Sequence, residues 1–289
     1  MVRLNAMAVG LPSEVLVKLE FLNPSGSIKD RAAIAMIEAA EASGKLKRGG
    51  TVVEPTSGNT GIGIAMAAAA KGYKAVLVMP VGLSAERTAL MSAFGAEIML
   101  TPKEGGMALA VEAAEAYAEK IGGVVLGQFD NPANPDIHRR TTAKEILEDV
   151  PDVDYVVAGI GTGGTATGIA MGLREMGSHA EVIGVEPAES PVITEGRPGP
   201  HGIQGIGANF VPGNFNPEYV RKVVAVPTAL AEETAVRLAR EEGLFAGISS
   251  GAAVAAAVRV ASEETGKKVL AILPDGGGRY ASGGLYDEG

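Results

Sequence analysis

The segment "TVVEPTSGNTGIGIAMAAAAKGYKAVLVMP" (residues 51–80) reads as strand, loop, helix and strand in succession. Its ends, "TVVEP" (51–55) and "KAVLVMP" (74–80), are continuous apolar runs, as expected of strands covered on both faces. The alanine-rich stretch 58–71 between them has helical character. A helix joining two such strands makes a parallel crossover, so the fold class is α/β. The pattern repeats outward. Strands are expected at 14–20, 96–102, 123–129, 154–160, 181–187, 221–227 and 267–274, and helices at 84–94, 107–120, 138–148, 163–176, 229–242 and 250–264. A further helix begins near Ile28, because Ile28, Ala32, Ala33, Met36, Ile37 and Ala40 recur at roughly helical spacing. The proline-rich "FDNPANPDIHRR" (129–140) is the expected domain seam, and 188–219 is an irregular stretch of the length that tends to be functional.

The chain has 289 residues, 46% hydrophobic and 20% charged, which is globular composition with room for one large or two medium domains. A net charge of −9 argues against a broad nucleic-acid footprint or docking on an anionic membrane. With no cysteine there is no disulfide, thiolate metal site or cysteine nucleophile, and three histidines leave little room for a metal centre. The opening "MVRLNAMAVG" lacks a signal-peptide apolar core, and "GLFAGISSGAAVAAAV" (243–258) is short for a membrane span of about 20 residues. A soluble, cytoplasmic protein is expected.

Four stretches carry chemistry-bearing side chains. "EPTSGNTGIGIA" (54–65) joins a strand to a helix and offers Thr56, Ser57, Asn59 and Thr60, with Gly58 and Gly61 allowing close backbone approach. It suits a carboxylate or phosphate, or is a plain helix cap with spare polar groups. "AGIGTGGTATGIA" (158–170) places Gly161, Thr162, Gly163, Gly164 and Thr165 as a cradle for one phosphate monoester. It also satisfies G-x-G-x-x-G through Gly159, Gly161 and Gly164, with Glu186 ending the next strand, so a dinucleotide-binding oxidoreductase competes. "AGISSGAAVAAA" (246–257) sets Ser249 and Ser250 at a helix head, one as cap and the other available to a ligand ring atom, or both structural. In "NPSGSIKDRAA" (23–33), Lys29 falls in or beside the first helical turn, a poor place for a cation unless Asp30 compensates it or it has another task. His138, His179 and His201 show no metal spacing and read as solvated or structural. A lysine, a phosphate cradle, a carboxylate loop and a ring-facing hydroxyl are what an amino-acid enzyme using pyridoxal phosphate requires.

These motifs resemble, over nearly the whole chain, the cysteine synthase family (O-acetylserine sulfhydrylases) of the pyridoxal-phosphate fold type II superfamily. The resemblance is carried by "NPSGSIKDR", "PTSGNTGIGIA", "QFDNPANPDIH", "GIGTGGTATG", "IQGIGANFVP" and "GISSGAA" in that order. Threonine dehydratases differ by a histidine in the loop where this chain reads "TSGNTG". The resemblance implies two open, mostly parallel three-layer α/β domains with the cofactor in the cleft between them. Residues 33–133 would form the smaller, mobile substrate-binding domain, and 1–32 plus 134–289 the larger cofactor phosphate-binding domain. It implies that Lys29 carries pyridoxal 5'-phosphate as an imine and moves the substrate α-proton, and that Asn59 meets the cofactor's ring hydroxyl. Thr56, Ser57, Gly58, Asn59 and Thr60, with Gln128, would bind the amino-acid carboxylate. Gly161, Thr162, Gly163, Gly164 and Thr165 would hold the phosphate, and Ser249 would face the pyridine nitrogen.

The implied reaction is a β-replacement making L-cysteine from O-acetyl-L-serine and sulfide through an α-aminoacrylate intermediate. O-phosphoserine sulfhydrylase and cystathionine β-synthase are its close alternatives. The implied assembly is a homodimer, with the C-terminal tail of serine acetyltransferase as a partner and no nucleic acid or membrane. The chain departs from the family pattern in three places. It begins later, it has Asn209 where glycine is frequent, and it ends in "DGGGRYASGGLYDEG".

Overall fold

A computed structural model describes residues 1–82 and 85–286. In chain order, β1 (Val2–Arg3) and β2 (Glu14–Leu19) precede α1 (Lys29–Ala42), β3 (Thr51–Pro55), α2 (Asn59–Lys71) and β4 (Lys74–Pro80). Then come α3 (Ala85–Ala93), β5 (Glu97–Thr101), α4 (Gly106–Ile121), β6 (Val124–Val125), α5 (Ala133–Ile137) and α6 (Ala143–Asp149). The remainder is β7 (Tyr155–Gly159), α7 (Gly164–Glu175), β8 (Glu181–Pro187), α8 (Val192–Glu195), β9 (Val220–Val226), α9 (Thr228–Glu242), α10 (Ile248–Glu263) and β10 (Lys268–Leu273). The chain divides into two compact units, Asn23–Asn134 and Met1–Leu22 with Pro135–Gly289. The second division point falls inside the proline-rich 129–140 stretch. At the first, Asn23–Ala32, expected with the larger unit, falls instead with the smaller one, because α1 is continuous and packs on α2.

The smaller unit is a parallel four-stranded sheet in the order β5-β4-β3-β6. Strand periodicity divides its core. Val52, Leu77 and Met79 join Ala33, Met36, Ile37, Ile62, Ile64 and Ala68 of α1 and α2 on one face. Their neighbours Val53, Val76 and Val78 meet Ala110, Ala114 and Ala118 of α4 on the other. The apolar runs were continuous for this reason.

The larger unit is a six-stranded sheet in the order β1-β2-β10-β7-β8-β9, parallel except for β1 on β2. Val15, Val17, Val157, Ile183, Val269 and Ala271 pack against α9 and α10 residues such as Leu238, Ala253, Val254 and Ala257. The intervening Val156, Val182, Leu270 and Ile272 are also buried, so this sheet too is covered on both faces.

Two expectations need correction. The strand expected at 123–129 ends at Val125, because the next three amides bond a side chain instead of a neighbouring strand. The helix expected at 138–148 opens with a π-turn, His138–Thr142, preceded by the short α5. Ser84, the first residue of the 84–94 expectation, lies outside the described residues, as do the last three of the chain. Among the described residues no helix is long and apolar enough to cross a membrane.

Candidate active site

Ligands in open α/β sheets bind beyond the carboxyl ends of strands where successive connections diverge. In the smaller unit β3 has β4 on one side and β6 on the other, so the divergence lies between β3 and β6. The loops leaving those two strands are Thr56–Gly58 and Leu126–Gln128. Thr60 Oγ1 donates to Gln128 Oε1 at 2.6 Å, with both residues buried. The expected loop and Gln128 are thereby brought together. Gly58, extended at φ −108° and ψ −161°, begins α2 without a side-chain cap. Thr56 Oγ1 accepts from the Gly58 amide at 3.3 Å. Asn59 and Thr60 open the helix, whose first amides have no partner within the helix.

Lys29 is the first residue of α1, as its spacing predicted, and is half-buried. The turn before it is closed by Asp30, whose carboxylate accepts from the Ser25 amide (2.6 Å) and from the Ser25 hydroxyl. The Lys29 amide donates to Ser27 Oγ at 3.2 Å. α2 passes close by, and a Cβ on Gly63 would lie 3.1 Å from the Lys29 carbonyl oxygen and 3.2 Å from Ala33 Cβ. Glycine at 63 therefore sets the distance between the lysine's helix and the helix of the polar loop.

In the larger unit the connections diverge at β7, with β8 on one side and β10 on the other. The loop Gly161–Gly163 leaves β7 there. Gly163 has φ +82°, a left-handed conformation natural to glycine, and a Cβ on it would lie 2.6 Å from the Phe215 nitrogen. That conformation turns the chain into α7, whose amino end carries no side-chain cap. Thr165 Oγ1 lies 3.3 Å from His138 Nε2, and His138 Nδ1 lies 2.9 Å from Thr142 Oγ1. A Cβ on Gly161 would lie 2.5 Å from the Gly205 oxygen, and one on Gly205 would lie 3.7 Å from Ser249 Oγ. The 203–207 segment thus lies against both the glycine loop and Ser249.

Neither serine of "GISSGAA" is the expected cap, since the N-cap of α10 is Gly247 and no side chain caps the helix. Ser250 Oγ donates to the Asp275 carbonyl at 3.5 Å, and the Gly247 amide donates to the same carbonyl at 3.0 Å. Among the described residues the Ser249 hydroxyl has no protein partner, although the residue is 3% exposed. Glu186, sought as a ribose-binding acid, is already engaged. Its carboxylate accepts from the Ile193 and Thr194 amides at 2.8 and 3.2 Å and from the Thr194 hydroxyl. The dinucleotide reading loses its acid. Asn209 has φ +65°, the only positive value at a non-glycine among the described residues, and accepts from Ser190 Oγ at 2.7 Å. The backbone there is one glycine adopts freely and asparagine tolerates.

One residue of these groups, Glu54, was not singled out from the sequence, and another, His138, was read there only as solvated or structural. Glu54, 1% exposed, accepts from the Leu126, Gly127 and Gln128 amides at 3.2, 3.0 and 3.1 Å. Burial pushes its carboxyl upward while those amides pull against the rise. An acid inside the apolar run "TVVEP" was its signal, because a buried carboxylate demands partners. His138, buried in the π-turn beside the glycine loop, had no such signal.

A family model described as "pyridoxal-phosphate dependent enzyme" matches residues 1–275. A cysteine synthase of Staphylococcus aureus is 49% identical over 277 residues, covering 95% of this chain and 89% of the relative. Among solved structures, an O-ureido-L-serine synthase superposes with a TM-score of 0.95 at 45% identity, covering 99% of this chain and 91% of the other. A cysteine synthase of Entamoeba histolytica superposes with a TM-score of 0.95 at 40% identity, covering 100% and 88%.

Proposed function

Since the chain belongs to the pyridoxal-phosphate-dependent enzymes, within the cysteine synthase family, we propose that it makes L-cysteine from O-acetyl-L-serine and sulfide by β-replacement. The residues fit the cofactor. The glycine loop turns into an uncapped helix amino end through the left-handed Gly163, as an anion cradle does, and Ser249 offers a hydroxyl with no protein partner among the described residues. Pyridoxal phosphate, when bound, supplies an electron sink that weakens the Cα–H bond of an amino acid.

Each residue then has a task. Gly161, Thr162, Gly163, Gly164 and Thr165 hold the phosphate, and Lys29 holds the aldehyde carbon through Nζ. Asn59 meets the ring hydroxyl and Ser249 the ring nitrogen. A neutral hydroxyl at that nitrogen does not fix a positive charge there, which favours loss of a β-substituent over transamination. Thr56, Ser57, Gly58, Asn59, Thr60 and Gln128 bind the substrate carboxylate. Held so, and with its amino group having replaced Nζ on the aldehyde carbon, the substrate would present its α-proton to the freed Lys29 amine, which would take it as the Cβ–O bond breaks and acetate leaves with the electron pair. The same amine returns the proton to Cα once sulfur has bonded to Cβ.

The observation that carries this reading is the Thr60–Gln128 hydrogen bond. It joins the loop after β3 to the loop after β6 in a neutral, donor-rich surface at the head of α2, suited to a carboxylate. Family membership also supports a homodimer that receives the C-terminal tail of a serine acetyltransferase, which sedimentation with and without that peptide would register. Steady-state rates with O-acetylserine, O-phosphoserine and serine, each with sulfide, test the substrate assignment. O-acetylserine is expected to be the best donor, yielding cysteine and acetate in equal amounts. If it is the poorest of the three, the assignment falls.

A further inference from the structure

A buried glutamate near the carboxyl end of a parallel strand is expensive. Desolvating the carboxylate costs several kcal/mol, on the order expected for a buried ion, unless hydrogen bonds replace its water. A valine at position 54 would avoid that cost and leave β6 free to pair with β3 beyond Val125. The chain does the opposite. β6 stops after two residues, Gly127 adopts φ +69°, and three successive amides turn onto one side chain. Successive amides arranged this way form an anion-binding concavity. Here the protein's own carboxylate fills it, so the concavity is a support and not itself a ligand site.

What it supports is Gln128. The Gln128 amide is held by Glu54, its carbonyl accepts from Asn134 Nδ2 at 2.8 Å, and its side-chain oxygen accepts from Thr60 Oγ1. The Leu126 carbonyl accepts from Asn131 Nδ2 at 2.7 Å, which closes the turn from the other side. Every backbone polar group of Gln128 is therefore fixed by a buried partner, as is the oxygen of its side chain.

We propose that Glu54 is a positioning residue for the amino-acid carboxylate, acting through the Leu126–Gln128 turn to hold Gln128 against Thr60. The proposal rests on the reading of the 56–60 loop and Gln128 as the carboxylate site. Glu54 touches neither substrate nor cofactor in this role. Glu54→Gln keeps the volume and one acceptor oxygen but replaces the other with an amide that confronts the N–H donors.

The test is an absorbance titration of the holoenzyme with L-serine and with L-serine amide, which lacks the carboxylate. Wild type is expected to bind L-serine more tightly. Glu54→Gln should lose about tenfold in L-serine affinity, the scale of one buried charge-assisted hydrogen bond, with the amide unaffected. In a Gln128→Ala background, Glu54→Gln should add little further loss, since both act on one element. Glu54→Asp, which keeps the charge with a shorter reach, should fall between wild type and Glu54→Gln and serves if the latter does not accumulate. Hydrogen exchange at the Gly127 and Gln128 amides should quicken in both variants, with α10 amides unchanged. Equal loss for both probes, no loss for either, or unchanged exchange would overturn the role of Glu54. Wild type that does not discriminate between the probes overturns the carboxylate reading and the Glu54 proposal with it.

Discussion

At the scale of single residues, the chemistry follows from where a few side chains lack or share partners. Lys29 stands at a helix start, where the dipole disfavours a cation, so a resting state without a free ammonium suits it. Lys29→Ala should lower turnover by at least about a thousandfold, the scale lost with a covalent catalyst, while circular dichroism stays that of wild type. Thr60→Ala should raise the KM for the amino acid about five- to tenfold with a smaller effect on kcat, matching one buried hydrogen bond of about 1 kcal/mol. An unchanged KM would remove Thr60 from the carboxylate site. Lys29, the 56–60 loop, the glycine loop and Ser249 were legible because each couples a polar or glycine-rich motif to a strand end or helix head. Glu54 and His138 were harder to read, since their roles come from residues 72 to 74 and 27 positions away in sequence.

At the scale of elements, the strands with uninterrupted apolar runs matched their expected bounds most closely. β3, β4 and β8 coincide with 51–55, 74–80 and 181–187, because burial on both faces leaves little choice of residue. β6 was overestimated because its apolar composition continues past the point where its amides turn to Glu54. The π-turn at His138–Thr142 keeps helical periodicity in sequence while shifting the register by one residue per turn, and hydrophobic spacing does not report such a shift. The turn into α7 depends on the left-handed Gly163 packed on Phe215. Gly163→Ala should cost at least about 1–2 kcal/mol from the strained φ alone. Thermal unfolding and cofactor content should both fall, and a variant as stable and as fully loaded as wild type would contradict the role given to that turn.

At the scale of the whole molecule, parallel sheets of both units were foreseeable from alternation alone, and the division at 134/135 falls in the polar, proline-containing 129–140 stretch. The division at 22/23 was not foreseen, because it depends on α1 packing with α2 and the turn residues at 23–27 read equally well as a loop within one unit. Charge ties the larger unit's strand edges together. Burial works against the ionised Asp154 carboxylate, but the Lys268 amide at 2.8 Å and the Lys267 ammonium at 3.0 Å hold it below the usual carboxylate range. A depressed carboxyl gives stability that is fully present above its unfolded value, near 4, and is lost as pH falls through the lower folded value. Asp154→Asn should therefore destabilise at neutral pH, with the gap to wild type closing as the solution is acidified through that window. A gap that stays constant with pH would assign the effect to packing instead of charge.

The central claim is that Lys29, and no other lysine, carries the cofactor. Borohydride reduction of the purified enzyme followed by peptide mass spectrometry reads this directly. The account predicts bleaching of the visible band and a phosphopyridoxyl group on Lys29 alone, absent from Lys29→Ala. The same modification on a different lysine, or its persistence in Lys29→Ala, would contradict it.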